Sequence, residues 1–272
     1  MTPNPRESPT VPARDEDTSD RTSAPEDKPA EKPGSTPSIL REHRWGIGAF
    51  LLVEAVLLCS AAFVSAILDH SDGSGTVSVL VMVIGTILPT MIAAGTAVLI
   101  TVVRGNGPKI DLRWSFRRED FSVGVRFGLI GLVCTTVAAV VWTRIVGEDN
   151  ATSAIGALVD EHRLELTAAI VMFLYLWLIG PICEEIIFRG LLWGALERLK
   201  WGRWAVFVLS TAVFAASHLE PLRTTLLIVI GIPIGLARLR TGGLGASIVA
   251  HQVNNFLPAV ATLLLALGVT RA

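Results

Sequence analysis

The sequence predicts an all-α, polytopic transmembrane helix bundle of seven to eight spans, preceded by a disordered N-terminal tail. Two observations predict this class. Hydrophobic residues make up 51% of the 272 residues, with a mean hydropathy of +0.56, which is more than a soluble domain with a polar surface carries. The apolar residues also form long runs, most of them near the ~20 residues that cross a bilayer. We therefore expect an integral membrane protein.

The first element is the tail, residues 1–40. It holds eight of the fourteen prolines together with Ser, Thr, Asp, Glu and Arg. Such a stretch buries too little apolar surface to offset the entropy lost on ordering. We predict that it is disordered.

The apolar runs follow the tail. Gly180-Pro181 lies within the fourth run, where the missing proline N–H favours a kink or a break into two pieces. We divide the chain into N-terminal transmembrane helices with a connector, residues 41–164, and a catalytic transmembrane core, residues 165–272. The runs are 45–68, 77–103, 121–142, 166–199, 204–219, 222–238 and 244–267.

The orientation follows from the charged segments between the runs. Arginine and lysine concentrate in 104–118, 198–203 and 238–240, which the positive-inside rule assigns to the cytoplasm together with the N-terminus. Acidic residues mark 69–72 and 148–161 as outside. The abundance of arginine over lysine points to a bacterial cell membrane. The net charge of −1 gives no indication of a nucleic-acid partner, so we expect membrane lipid and a membrane-associated protein or peptide as partners.

A cluster of polar residues interrupts the apolar runs of the core. Ionisable groups are costly inside a bilayer, so they indicate a functional site. Glu185 precedes Arg189 by four residues, the favourable order for an ion pair on one helix face. Glu184 points about 100° away and has no partner on its own helix, which suits a general base. The remaining members are His218, His251 and Asn255.

Depth in the membrane tests whether these residues can meet. Glu184 and His218 flank the turn 200–203 at similar separations, which places both about 22 to 24 Å from it. His251 lies only about 12 to 14 Å from its own turn at 241–243. The last helix must therefore be tilted, or its start recessed, for His251 to join the others.

Two chemical schemes fit these residue types. Glu184, His218 and His251 match the ligand set of a catalytic zinc or other divalent metal with an open position for water. In a metal-free scheme, Glu184 and His218 activate water, while His251 and Asn255 stabilise the oxyanion. Asn254 is close enough to substitute for Asn255. The residues alone leave both schemes open.

The ordered motifs Glu184-Glu185-x-x-x-Arg189, Phe214-x-x-x-His218 and His251-x-x-x-Asn255 resemble the CAAX-protease and bacteriocin-processing (CPBP, or Abi) family, which is related to type II CAAX prenyl protease. The resemblance covers about residues 165 to 260. It implies an intramembrane endopeptidase in which Glu184 and His218 activate water, His251 and Asn255 serve the oxyanion or a metal, and Glu185 and Arg189 support them. We expect the water to be activated in a cavity open toward the cytoplasm.

Two other functions compete with this interpretation. A non-catalytic membrane scaffold or immunity factor would keep the same fold and act by binding. A transporter would use the buried polar residues for ions, but it would be expected to show paired repeats with broken helices, and here the polar cluster is confined to the core. Glu54, the other acid within a span, is interpreted as a packing residue. Gly231 and Gly235 form a small-residue face that predicts close helix approach.

Overall fold

The computed structural model describes residues 44–71, 79–147, 153–161 and 164–270, and these ranges contain helices and no strand. The all-α prediction is confirmed. The predicted disordered tail lies outside the described residues, and so do positions 72 and 148–152 of the acidic segments. The helices are α1 (Ile47–Ser71), α2 (Val79–Arg104), α3 (Pro108–Asp111), α4 (Arg118–Val146), α5 (Ala154–Glu161), α6 (Leu166–Leu174), α7 (Gly180–Glu184), α8 (Trp193–Arg198), α9 (Arg203–Ala216), α10 (Thr224–Thr241) and α11 (Leu244–Ala266).

Six helical segments in the described ranges are long and apolar enough to cross a membrane. All seven predicted runs are helical, but the fifth gives only α9, with 14 residues. At 1.5 Å per residue α9 is about 21 Å long, shorter than the ~30 Å hydrocarbon layer. Helix α9 ends at Ala216, so His218 lies in the turn just beyond it.

The fourth run forms one continuous helical segment, Leu166–Arg198, here called the central helix. Proline at 181 does not break it. Two π-helical stretches, Tyr175–Ile179 and Glu185–Leu192, flank α7 instead, and the Gly180 N–H donates to the Tyr175 carbonyl five residues earlier. The wider turn accommodates the proline ring and the missing donor, so the predicted kink takes the form of a local change in helical pitch.

Small residues allow close contact between α4 and α11. A methyl group added at Gly128 would lie 2.6 Å from Cβ of Val253 and 2.8 Å from the Ala250 carbonyl oxygen. Gly124 meets α11 in the same way one turn earlier. These glycines hold the helix that carries His251 against α4, as small residues do at membrane-helix interfaces.

The predicted close approach at Gly231 and Gly235 is confirmed. An added Cβ would lie 2.9 Å from Thr211 at Gly231 and 2.8 Å from the Phe207 ring at Gly235. Helix α10 therefore packs directly on α9.

Helix α11 begins inside the bundle. Its first turn, from Leu244 to Ser247, is buried, and the Leu244 N–H donates to the Arg113 carbonyl at 3.1 Å. The start is thus recessed, one of the two arrangements required for His251 to reach the depth of Glu184.

Arg238 differs from its expected place in a cytoplasmic turn. Its side chain is only 2% exposed, and its Nε donates to the Arg189 carbonyl at 3.0 Å. Helix α10 continues to Thr241, so Arg238 faces the interior one turn before the helix ends.

Candidate active site

The site is built around a buried ion pair on the central helix. Arg189 Nη1 donates to Glu185 Oε1 at 3.1 Å, and both side chains are fully buried. This confirms the contact predicted from their spacing. Arg189 Nη2 also reaches the Gly231 carbonyl at 3.4 Å, and its guanidinium lies 4.3 Å from the centre of the Phe214 ring. Pairing is what makes two charges tolerable at this depth.

His251 lies between the two glutamates. Its Nδ1 is 3.0 Å from Glu185 Oε1, and since a carboxylate only accepts, Nδ1 carries the hydrogen. Its Nε2 lies 3.6 Å from Glu184 Oε2. Glu185 therefore fixes the orientation of the ring, and the other ring nitrogen faces Glu184.

Glu184 differs from its neighbour in exposure. Its side chain is 24% exposed, against 0% for Glu185. The difference follows from their positions on the helix, which direct one carboxylate into the protein and the other into a cavity. Glu184 is the carboxylate that water can reach.

His218 is held by the end of α9. Its Nδ1 donates to the Phe214 carbonyl at 2.8 Å, which leaves Nε2 as the free ring nitrogen. The Phe214 ring lies 4.8 Å from the His218 ring and 5.8 Å from the His251 ring, between centroids. The predicted apolar wall beside His218 is therefore present, and it contacts both imidazoles.

The two asparagines of α11 have different surroundings. Asn255 Nδ2 donates to the Leu176 carbonyl at 3.3 Å. Asn254 is 1% exposed, and its Oδ1 accepts from the Thr135 hydroxyl at 3.0 Å. Asn254 links α11 to α4, whereas Asn255 keeps one amide hydrogen for another acceptor.

These residues share a cavity of about 330 Å³. Within the described chain, Glu184 and His218 form no hydrogen bond or ion pair with each other, yet both line this cavity. The fully buried Glu185 and Arg189 lie behind its wall. The four predicted site residues that line it are Glu184, His218, His251 and Asn255.

The cavity extends from these residues toward Ser153, Glu220 and Arg223. This end of the bundle is the one opposite the basic segments 104–118 and 198–203.

The residue types in the sequence suggested Glu184, His218 and His251 as possible metal ligands. Within the described ranges, no group of three His, Cys, Asp or Glu residues is placed to hold a metal ion. His251 Nδ1 and His218 Nδ1 are engaged by protein acceptors, so only the two Nε2 atoms remain as donors. Together with the Glu184 carboxylate, these two nitrogens are the atoms that would hold a divalent metal, which would polarise a bound water; no step below is assigned to a metal.

The tertiary structure adds residues that the sequence interpretation did not select. Thr135, Tyr175, Glu220 and Arg223 line the cavity, and only their contacts across helices reveal this. Glu54, interpreted as a packing residue, has its carboxylate beside the Ser217 hydroxyl and close to His218. In the sequence, the position of Glu54 within a span was the only indication that it could lie near the site.

Comparisons with known proteins cover the same segment. A family model described as "Rce1-like: type II CAAX prenyl endopeptidase Rce1-like" matches residues 166–257. The membrane-embedded CAAX protease MroQ of Staphylococcus aureus (strain USA300) is 26% identical over 175 residues, which are 61% of this chain and 68% of that protein. No solved structure gives a significant match. The matched segment contains the polar residues that meet around the cavity, and over this segment the chain is similar to the type II CAAX prenyl endopeptidases.

Proposed function

We propose that this protein is an intramembrane endopeptidase that hydrolyses a peptide bond of a membrane-associated protein or peptide. The observation that supports it best is the shared cavity: Glu184, His218 and His251 come from three helices and face one space inside an apolar bundle. Polar groups are retained in such a place when they perform chemistry.

In the proposed reaction, the Glu184 carboxylate takes a proton from water while the water oxygen attacks the substrate carbonyl carbon. His218 Nε2 is the second group that orients this water, because its Nδ1 is occupied by Phe214. The carbonyl π electrons move to the oxygen, which becomes an oxyanion. Collapse of this intermediate breaks the C–N bond, and the proton held by Glu184 passes to the leaving nitrogen.

The oxyanion is assigned to His251 and Asn255. A donor fixed in advance stabilises developing charge without reorganisation, and here Glu185 fixes the His251 ring while Leu176 fixes the Asn255 amide. Glu185 and Arg189 act as positioning residues, since both are fully buried behind the cavity wall.

The test uses purified protein in lipid vesicles and a library of membrane-tethered peptides, including prenylated CAAX-type sequences. We expect cleavage by the wild type, and a fall in turnover of about 10²- to 10⁴-fold for Glu184→Gln and His218→Ala. The matched control is Glu119→Gln, which removes an exposed carboxylate in the first turn of α4. Unfolding curves must show that each variant is folded.

The result also separates the competing functions. Cleavage that survives both changes would refute the assigned base. Tight peptide binding by the wild type without any product would favour a scaffold or immunity factor.

A further inference from the structure

The π-helical stretch Tyr175–Ile179 changes the hydrogen-bond register of the central helix just before Pro181. The Gly180 N–H donates to the Tyr175 carbonyl, five residues earlier. In this register the next donor would be the backbone nitrogen of residue 181, and its acceptor would be the Leu176 carbonyl. Proline has no N–H, so residue 181 cannot donate. The Leu176 carbonyl is therefore left without this helical partner.

A side chain of α11 takes the place of the missing donor. Asn255 Nδ2 donates to the Leu176 carbonyl at 3.3 Å, and Gln252 Nε2 donates to the Leu178 carbonyl at 3.4 Å. The two amides are three residues apart, so they lie on one face of α11. Carbonyls inside an apolar bundle need such partners, because water is scarce there. Two carbonyls of the π-helical stretch thus bind amide side chains of α11.

The contact with Leu176 restricts the Asn255 amide. A side-chain amide carries two hydrogens on Nδ2, and the bond to the carbonyl uses one of them. At the other end of the amide, Oδ1 lies 3.5 Å from Asn254 Nδ2. Asn255 lines the same cavity as Glu184 and His251. The second hydrogen of the restricted amide is the one that remains for the oxyanion.

Pro181 does not serve to end the central helix, which runs without a break from Leu166 to Arg198. Proline inside a helix lowers stability, because it removes one backbone hydrogen bond and its ring crowds the preceding turn. Pro181 lies three residues before Glu184 and lines the cavity itself. A destabilising residue beside reacting groups indicates a contribution to function.

We propose that Pro181 is a positioning residue for Asn255. Because residue 181 has no N–H, the Leu176 carbonyl is free to accept from Asn255, and this bond holds the amide for the oxyanion. The oxyanion role rests on the proposed endopeptidase function. The anchoring of Asn255 by the carbonyl that Pro181 releases does not depend on that function.

The substitution Pro181→Ala restores the missing donor. The new N–H at position 181 competes with Asn255 for the Leu176 carbonyl and favours the ordinary helical register. We expect the unfolding midpoint to rise, since a proline is removed from a helix. Turnover should fall about 10- to 10³-fold, up to the whole contribution of one oxyanion donor, with little change in KM. Unchanged turnover in the folded variant overturns the proposal.

The matched control is Pro89→Ala. Pro89 also lies inside a membrane helix, and among the described residues no side-chain amide donates to the carbonyl four residues before it. We expect this variant to keep the wild-type turnover. An equal loss of turnover in Pro89→Ala and Pro181→Ala would overturn the assignment of the effect to Asn255.

A backbone ester separates the effect of the N–H from that of the proline ring. Lactic acid, introduced at position 181 by nonsense suppression, has the methyl side chain of alanine but an oxygen in place of the N–H. We expect this protein to keep turnover near the wild-type value, whereas Pro181→Ala loses it. An equal loss in the ester and in Pro181→Ala would show that the ring matters and not the missing donor, which overturns the proposal.

A thermodynamic cycle tests the anchoring without any activity. Asn255→Ala should lower the unfolding midpoint of the wild type, because the Leu176 carbonyl loses its partner. The same change should not lower the midpoint of the Pro181→Ala protein, where the backbone at position 181 supplies the donor. Thermal unfolding in detergent gives the four midpoints. Equal shifts in the two backgrounds overturn the anchoring.

The two kinds of measurement distinguish this proposal from the proposed function. Coupling in the cycle without any cleavage by the wild type supports the anchoring and refutes the endopeptidase function. Cleavage by the wild type with independent effects of Pro181→Ala and Asn255→Ala refutes the role of Pro181 and leaves the endopeptidase function intact.

Discussion

The Nε2 atom of His251 lies 3.6 Å from Oε2 of Glu184, while Nδ1 of the same ring donates to Glu185. One histidine thus connects the buried carboxylate to the cavity-facing one. The role of His251 as an oxyanion donor requires a hydrogen on Nε2 as well, and the Glu184 carboxylate that faces this atom can accept it; the cavity beside Glu184 also has room for water. The first predictions concern the separate roles of these two glutamates.

Glu184→Gln and Glu185→Gln should have different effects on stability. Glu185→Gln leaves Arg189 as a buried charge without its partner, which costs about 3 to 5 kcal/mol. Glu184 is partly exposed to the cavity, so Glu184→Gln should change stability little and remove activity. Thermal unfolding in detergent measures the stability of both variants. Equal destabilisation by the two changes would contradict the division into base and positioning residue.

His251→Ala should lower turnover about 10²- to 10³-fold, the usual effect of removing one oxyanion donor. KM should change less, because the contact is assigned to the transition state. Steady-state cleavage of the best tethered peptide gives both constants. A rise in KM with unchanged turnover would move His251 from transition-state stabilisation to substrate binding.

Asn255→Ala and Asn254→Ala should separate activity from stability. Asn255 faces the cavity with an amide hydrogen to spare, so its loss should lower turnover in a folded protein. Asn254 accepts the Thr135 hydroxyl, so Asn254→Ala leaves a buried group unpaired at a cost of about 1 to 3 kcal/mol. Thr135→Val should reproduce the Asn254→Ala effect. If Asn254→Ala alone abolished turnover at full stability, the two roles would be exchanged.

Gly128→Ala should destabilise the protein by about 1 to 3 kcal/mol, because the added methyl overlaps Val253 and forces α11 away from α4. Gly95→Ala is the matched control: Gly95 also lies in a membrane helix, but nothing lies within 4 Å of an added Cβ. Unfolding midpoints and cleavage rates of both variants should be compared. Similar behaviour of the pair would show that the α4–α11 contact does not hold His251 in place.

In the metal-free scheme Glu184 and His218 activate water without a metal, so chelators should leave the cleavage rate unchanged. The measurement compares wild-type rates after treatment with a strong zinc chelator and after zinc is restored. A rate that falls with the chelator and returns with zinc would replace the metal-free scheme with the metal scheme that the residue types also permit.

Local sequence features could predict the interactions within single helices. The four-residue spacing of Glu185 and Arg189 was sufficient to predict their ion pair, because residues so spaced share one helix face. The Phe214 wall beside His218 follows from the same rule. Because the rise per residue of a helix is fixed, the depths of His251 and Glu184 along their helices similarly predicted that the last helix is tilted or has a recessed start.

Several features that depend on contacts between helices were not predicted. The π-helical stretches replaced a break at Pro181, and Arg238 is buried where a loop residue was expected.

The sequence alone determined the membrane character, the helical class and the set of polar residues, since these follow from composition and from periodicity along one helix. Only the tertiary structure decided that His251 contacts both glutamates and that Glu184, His218, His251 and Asn255 line one cavity. Those relationships depend on where α11 starts and on which helices α4 contacts, and they arise from close packing between segments distant in the chain.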